Sequence, residues 1–150
     1  MKKKQHNAVL FCIVLMLGIM LSVLSGCVKH ADPEIGIDID LTVLSRPIVF
    51  AEVNNMMMDP ESYLGKTIKA KGIYSVENFS LVDQYYHFII IEDETACCSQ
   101  GLEFLWTGKH VYPDDYPKTE TEIEITGVFE NYEEAGFDYY RIKANEVTVL

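Results

Sequence analysis

Two stretches of this 150-residue chain repeat one pattern, and together they limit what it can fold into. Ile68-Lys69-Ala70-Lys71-Gly72-Ile73-Tyr74 lines up with Ile123-Glu124-Ile125-Thr126-Gly127-Val128-Phe129. Both alternate apolar and polar side chains, which is the period of a half-buried strand. Both carry glycine at the same place. A glycine inside a strand allows the bulge or sharp coil that a small barrel needs at its corners.

Three further runs complete a set of five strands. Gln84 to Glu92, QYYHFIIIE, is the most β-prone stretch of the chain. GLEFLW, residues 101 to 106, is shorter, and DYYRIKANEVTVL, residues 138 to 150, closes the sequence with one or two strand stretches. Five strands with two glycine corners predict an all-β fold, a five-stranded OB-fold-like barrel with one N-terminal helix. In that fold the first and fourth strands pair, which sets Lys69 and Lys71 near Glu122 and Glu124, a favourable charge arrangement. Tyr132 to Phe137, with Gly136, reads as a hairpin loop. Thr107 to Thr119 holds two prolines and reads as a loop, where an OB-fold usually has a helix.

The helix is expected just before the first strand. Ser45 stands where a cap belongs, and Pro47 suits a first turn. Phe50, Val53 and Met57 recur at helical spacing, with Val49 and Met56 alongside. Pro60 pushes Asp59 out of α geometry, so the helix should stop near Met58. Asp59 then opens one further turn, and Gly65 allows the reversal into the first strand. Such a helix can cover the barrel, which would explain why QYYHFIII is apolar on both faces.

The N-terminus has a different character. Lys2, Lys3 and Lys4 precede an apolar run from Ala8 to Leu24, which ends in Leu24-Ser25-Gly26-Cys27. A charged start, an apolar core and a small-residue end are the parts of a secretory signal. LSGC resembles the lipobox of bacterial lipoproteins, in which the signal is cut before the cysteine and that cysteine carries lipid. The resemblance implies residues 1–26 as signal peptide and Cys27 as the lipidation site; the remaining chain then divides into 27–45, lipidated cysteine and tether, and 46–150, the OB-fold-like domain. An uncleaved transmembrane anchor competes with this reading, but the run is near the short limit for a span and ends in Ser-Gly-Cys. A diacylglyceryl group supplies the two chains that stable anchoring needs. The expected location is the extracytoplasmic side of a bacterial cell membrane. Within the tether, Ile35, Ile37, Ile39, Leu41 and Val43 alternate with smaller or polar residues, so part of it reads as extended chain lying against the domain.

Processing sharpens the charge. The chain carries a formal charge of −11; residues 1–26 hold three lysines and no acid, so their removal takes it to −14. A body this acidic is repelled by phosphate backbones, which argues against nucleic acid as a partner. The strand aromatics, which stack bases in nucleic-acid-binding barrels, lack a basic groove here and belong to the core or to a pocket for a neutral or cationic ligand or a protein partner.

Processing also removes Cys12 and commits Cys27 to lipid, which leaves two cysteines uncommitted, the adjacent Cys97 and Cys98. Three readings stay open: partly buried structural thiols, a metal site, and a strained vicinal disulfide or redox pair. On a regular strand their side chains would point to opposite faces, and the pair lacks the spacing of common zinc sites. Glu92-Asp93-Glu94-Thr95 looks like a turn, however, so strand geometry is not required. Further ligands would come from Glu103, Asp93, His87 or His110. His87 and Glu103 are favoured because the second and third strands should pair, giving Cys97, Cys98, Glu103 and His87 as the candidate set and zinc as the candidate metal.

The segments AEVNNMMMDPESYLGKTIKAKG and DETACCSQGLEF are similar to those of uncharacterised bacterial lipoproteins with an OB-like domain, over most of residues 38 to 130. The double cysteine and Tyr63-Leu64-Gly65-Lys66 resemble, more distantly, OB-like domains attached to bacterial permeases linked to metal supply. These resemblances imply a lipoprotein with a binding barrel and raise the weight of metal; neither carries a ligand set or an activity.

Other features read as structure. Met56, Met57 and Met58 spread over roughly 200° of helix and cannot all face one ion, so core filling outweighs copper. Asp114 and Asp115 do not fit a calcium-loop spacing. Glu130, Glu133 and Glu134 read as a solvated hairpin tip. No hydrolase, metalloprotease or phosphate-loop motif is present in the sequence, and nothing points to an enzyme. The expected role is a non-enzymatic binding module; the competing reading is a protein-interaction or small-ligand barrel in an envelope assembly, with structural cysteines.

Overall fold

The computed structural model describes residues 36–79 and 84–150. The signal segment, Cys27 and the first part of the tether lie outside the described residues. The elements in chain order are β1 (Ile39–Asp40), α1 (Arg46–Met58), β2 (Thr67–Phe79), β3 (Gln84–Glu92), β4 (Ser99–Trp106), β5 (Glu122–Glu134) and β6 (Phe137–Val149), with 3-10 turns at Leu41–Val43 and Pro60–Tyr63. Among the described residues, no helix is long and apolar enough to cross a membrane.

The sheet order is β1-β2-β3-β4-β6-β5, and β2 also pairs with β5, so five strands close into a ring. β4 and β6 run parallel, and the neighbouring pairs within the ring are antiparallel. This is the ring order and the single parallel contact of an OB-like barrel, as the sequence predicts. The repeated segments do meet: Thr67 to Ile73 pairs with Val128 to Glu122. Lys69 Nζ lies 2.9 Å from Glu124 Oε1, so the expected charge pairing forms across that seam.

The glycines explain how the barrel turns its corners. β5 slips register between Thr126 and Gly127, a bulge. A Cβ at Gly127 would run into Lys143 O and come within 2.6 Å of Ala144 Cα; one at Gly72 would come within 2.7 Å of Ile90 O. Backbones approach at these two positions more closely than any side chain permits.

Inside, Tyr74, Ile89, Leu102, Phe104, Ile123, Ile125, Phe129 and Ile142 are fully or almost fully buried. α1 packs against β3 and β4. It buries Val53 and Met56 completely, while Met57 and Met58 point outward. The helix ends at Met58, as Pro60 requires. Ser45 takes the cap position in extended geometry but makes no side-chain cap bond; its carbonyl accepts from Ile48 and Val49 N–H instead. Tyr63 and Leu64 pack back on the core, and Gly65 reverses the chain at φ 77°.

The later residues of the tether lie extended against the domain, as their alternation predicts: Asp38 N–H donates to Thr67 O, Ile39 pairs with Ile68, and Leu41 is buried. One boundary differs from expectation. The stretch read as a hairpin loop, 132 to 137, is mostly strand. β5 and β6 run on to a two-residue turn at Ala135 and Gly136, both at positive φ, the signature of a type I′ hairpin. The loop between β4 and β5 has no helix, as expected.

Candidate metal centre

Residues 93 to 98 join β3 to β4, and a single carboxylate organises them. Asp93 N–H donates to Cys98 O at 2.9 Å, closing the loop. Asp93 Oδ1 accepts the backbone N–H groups of Thr95 and Cys97 at 3.2 and 3.0 Å. An aspartate bonding to backbone two residues ahead is the usual device for starting such a turn. Ala96, at φ 54°, completes the reversal.

This turn breaks the strand alternation that would have separated the two cysteines. Cys97 and Cys98 Sγ lie 3.7 Å apart. The Cys97 thiol donates to Asp93 Oδ2 at 3.2 Å, and Thr95 Oγ1 lies 3.1 Å from Cys97 Sγ. Among the described residues, one group of His, Cys, Asp and Glu atoms gathers within mutual ligand reach: Asp93, Cys97 and Cys98, all within 4.8 Å of one another. Two sulfurs at about 2.3 Å from a tetrahedral zinc stand about 3.8 Å apart. The thiols of the loop already hold that spacing.

Both cysteines are exposed and unbonded, so packing does not account for them. The Cys97 thiol holds the Asp93 carboxyl below its ordinary range, with the Cys98 and Cys97 backbone adding to the effect. Cys98 is pushed up, first by its contact with Cys97 and then by the nearby Cys97 and Asp93 charges. Gathering three potential anions costs energy unless protons or a cation occupy the site. A metal ion would displace the thiol protons on binding.

The other sequence candidates stand elsewhere. His87 points into the barrel, where its Nδ1 lies 2.7 Å from Tyr74 Oη and its ring stacks on Tyr116 at 4.1 Å. Burial lowers it to about 4, so it is neutral near neutral pH. Glu103 lies on the opposite face of the sheet from the core and accepts the Tyr132 hydroxyl with both oxygens, at 3.0 and 2.9 Å. Neither residue belongs to the cluster around the two thiols. The reason is register: His87 pairs with Phe104 and Glu103 with Phe88, so both stand well down the strands from the loop. His110 stacks on Trp106 at 3.8 Å. Asp115 accepts the Val111 N–H at 2.7 Å, a turn role. Asp93, one of four further candidates in the sequence, is the one that meets the thiols, and an aspartate at the head of a turn was the signal for it.

No protein-family model matches the sequence, and no curated protein matches it either.

Proposed function

We propose that this protein is a lipid-anchored lipoprotein, held through Cys27 on the extracytoplasmic side of a bacterial cell membrane, and that its barrel is a non-enzymatic module binding a soft divalent metal such as zinc. The observation that carries the metal reading is the Asp93, Cys97 and Cys98 cluster, with its thiols already at the tetrahedral spacing. Cys97, Cys98 and Asp93 supply three donors, and the exposed loop leaves a fourth position for water or for a donor from another protein. Such a site exchanges its ion more readily than a closed four-ligand structural site, which suits acquisition or hand-over. The competing reading, with the cysteines purely structural, is weakened by their exposure. The anchor rests on the lipobox alone.

Competition against a chromophoric zinc chelator tests the metal reading. The native protein should hold one zinc. Cys97→Ser, Cys98→Ser and Asp93→Asn should each weaken binding by at least about ten-fold, since even partners behind the ligands are worth that much. Equal retention of zinc by all three variants would remove the site. Intact mass of membrane-extracted protein tests the anchor: an unprocessed N-terminus without lipid would defeat it.

A further inference from the structure

The face of the sheet turned away from the core carries an aromatic and acidic surface, separate from the cysteine loop. Along β3, β4, β5 and β6, the residues alternating with the buried Ile89, Phe104, Phe129 and Ile142 point outward. Their contacts form a continuous path. Phe79 packs edge-on against Tyr86, with ring centroids 5.3 Å apart. The Tyr86 hydroxyl donates to Glu134 Oε2 at 2.6 Å, and Glu134 pairs in register with Phe137. Tyr139 stacks on Tyr132 at 5.6 Å, and Tyr132 donates to Glu103.

Two properties of this path identify what it suits. First, its rim is aromatic and open: Phe79, Phe137 and Tyr139 are 55%, 67% and 43% exposed. Second, its charge is lopsided. Arg141 and Lys143 are both engaged by Glu130, at 3.0 and 3.6 Å, and Arg141 also lies over the Tyr132 ring. Among the described residues, Glu103 and Glu134 have tyrosine hydroxyls as partners and no cation within ion-pair distance. Burial raises the Glu103 carboxyl above its ordinary range, so a carboxylate there gains from an incoming cation. Glu77, across from Tyr86, extends the negative field.

Aromatic faces beside carboxylates are the setting in which ammonium and guanidinium groups bind. Its side chains come from β2 (Phe79), β3 (Tyr86), β4 (Glu103), β5 (Glu134) and β6 (Phe137, Tyr139), so the surface is several side chains wide. That exceeds a lone small cation. We infer that this face docks an arginine- or lysine-bearing segment of a partner protein, its cationic side chains seated between the aromatic rim and the Glu103 and Glu134 carboxylates.

Fluorescence anisotropy with the full chain in non-ionic detergent tests this, using a labelled peptide of alternating arginine and glycine and a glutamate–glycine counterpart. The arginine peptide should bind and the glutamate peptide should not. Glu103→Gln with Glu134→Gln should weaken binding about ten-fold, whereas Glu94→Gln with Asp114→Asn, which removes the same charge elsewhere, should change it less than about two-fold. Phe137→Ala with Tyr139→Ala, both at exposed positions, should weaken it about five-fold. Replacing both cysteines by serine should leave it unchanged, which separates this surface from the metal loop. Absence of arginine-peptide binding, preference for the glutamate peptide, equal weakening by the two charge-removing pairs, or native binding by the aromatic variant would each overturn the inference.

Discussion

Replacing the two repeat glycines by alanine should destabilise the barrel in a fixed order. At Gly127, the added Cβ would lie 2.6 Å from both Ala144 Cα and Lys143 C, and closer still to Lys143 O. All three are backbone atoms of β6, paired to β5 at that point. They cannot swing aside as a side chain does, so the two strands must separate by several tenths of an ångström. Overpacking in a core costs about 1–3 kcal/mol, and occasionally more. With the clash wholly against backbone, Gly127→Ala belongs at about 3 kcal/mol or above. At Gly72 the obstacle is one carbonyl, Ile90 O at 2.7 Å, with Ile89 Cβ at 3.2 Å, which places Gly72→Ala at about 1–2 kcal/mol. Gly36 has nothing within 4 Å, and alanine there should be within about 0.5 kcal/mol of native. For a domain of this size 1 kcal/mol shifts the melting temperature by about 4 °C. Thermal unfolding followed by circular dichroism should therefore show losses of about 12 °C or more, about 4–8 °C, and about 2 °C or less. A Gly127→Ala protein melting within 2 °C of native would refute the claim that close backbone approach fixes this corner.

Acid should weaken the fold through His87. Its folded value of about 4 lies below the unfolded 6.5, so between those values the unfolded chain binds the extra proton. Stability is retained above pH 6.5 and lost as pH falls towards 4, by up to about 3 kcal/mol. Urea midpoints at pH 7 and pH 5 should differ less in His87→Gln than in the native protein; an identical pH dependence would place the effect elsewhere. In the helix, Met56→Ala should cost about 2–5 kcal/mol and Met58→Ala less than about 0.5, since Met56 is buried and Met58 is 78% exposed. Equal urea midpoints for the two variants would contradict the helix orientation.

Much of the barrel was legible because local chemistry and tertiary pairing agree. The alternation of Ile68 to Tyr74 and of Ile123 to Phe129, with glycine in step, anticipated the seam that closes the ring and the Lys69–Glu124 pair across it. Pro60 marked the end of α1. Tyr132 to Glu134 was less clear, because glutamates and an aromatic beside a glycine suit a loop as well as the arm of a long hairpin; pairing with Tyr139 to Phe137 decides the matter, and sequence period does not reveal it.

The candidate sites divide in the same way. That Cys97 and Cys98 lie beyond a turn was readable from Glu92 to Thr95, but which ligand would join them was not. Strand pairing of β3 with β4 favoured His87 and Glu103, and it does hold. It nevertheless carries His87 into the core and Glu103 to the outer face. Asp93 reaches the thiols through the bonds it makes to its own loop, which depend on the backbone path at Ala96. The outer aromatic and acidic face draws on five strands, and no single segment announces it.

Native and denaturing mass spectrometry of the membrane-extracted protein, purified without reductant or chelator and supplied with zinc, tests the central claim most directly. The native mass should be higher by one zinc ion, lost on denaturation to leave Cys97 and Cys98 as free thiols. A bare native mass in excess zinc, or a mass lower by two hydrogens from a bond between the two sulfurs, would contradict it.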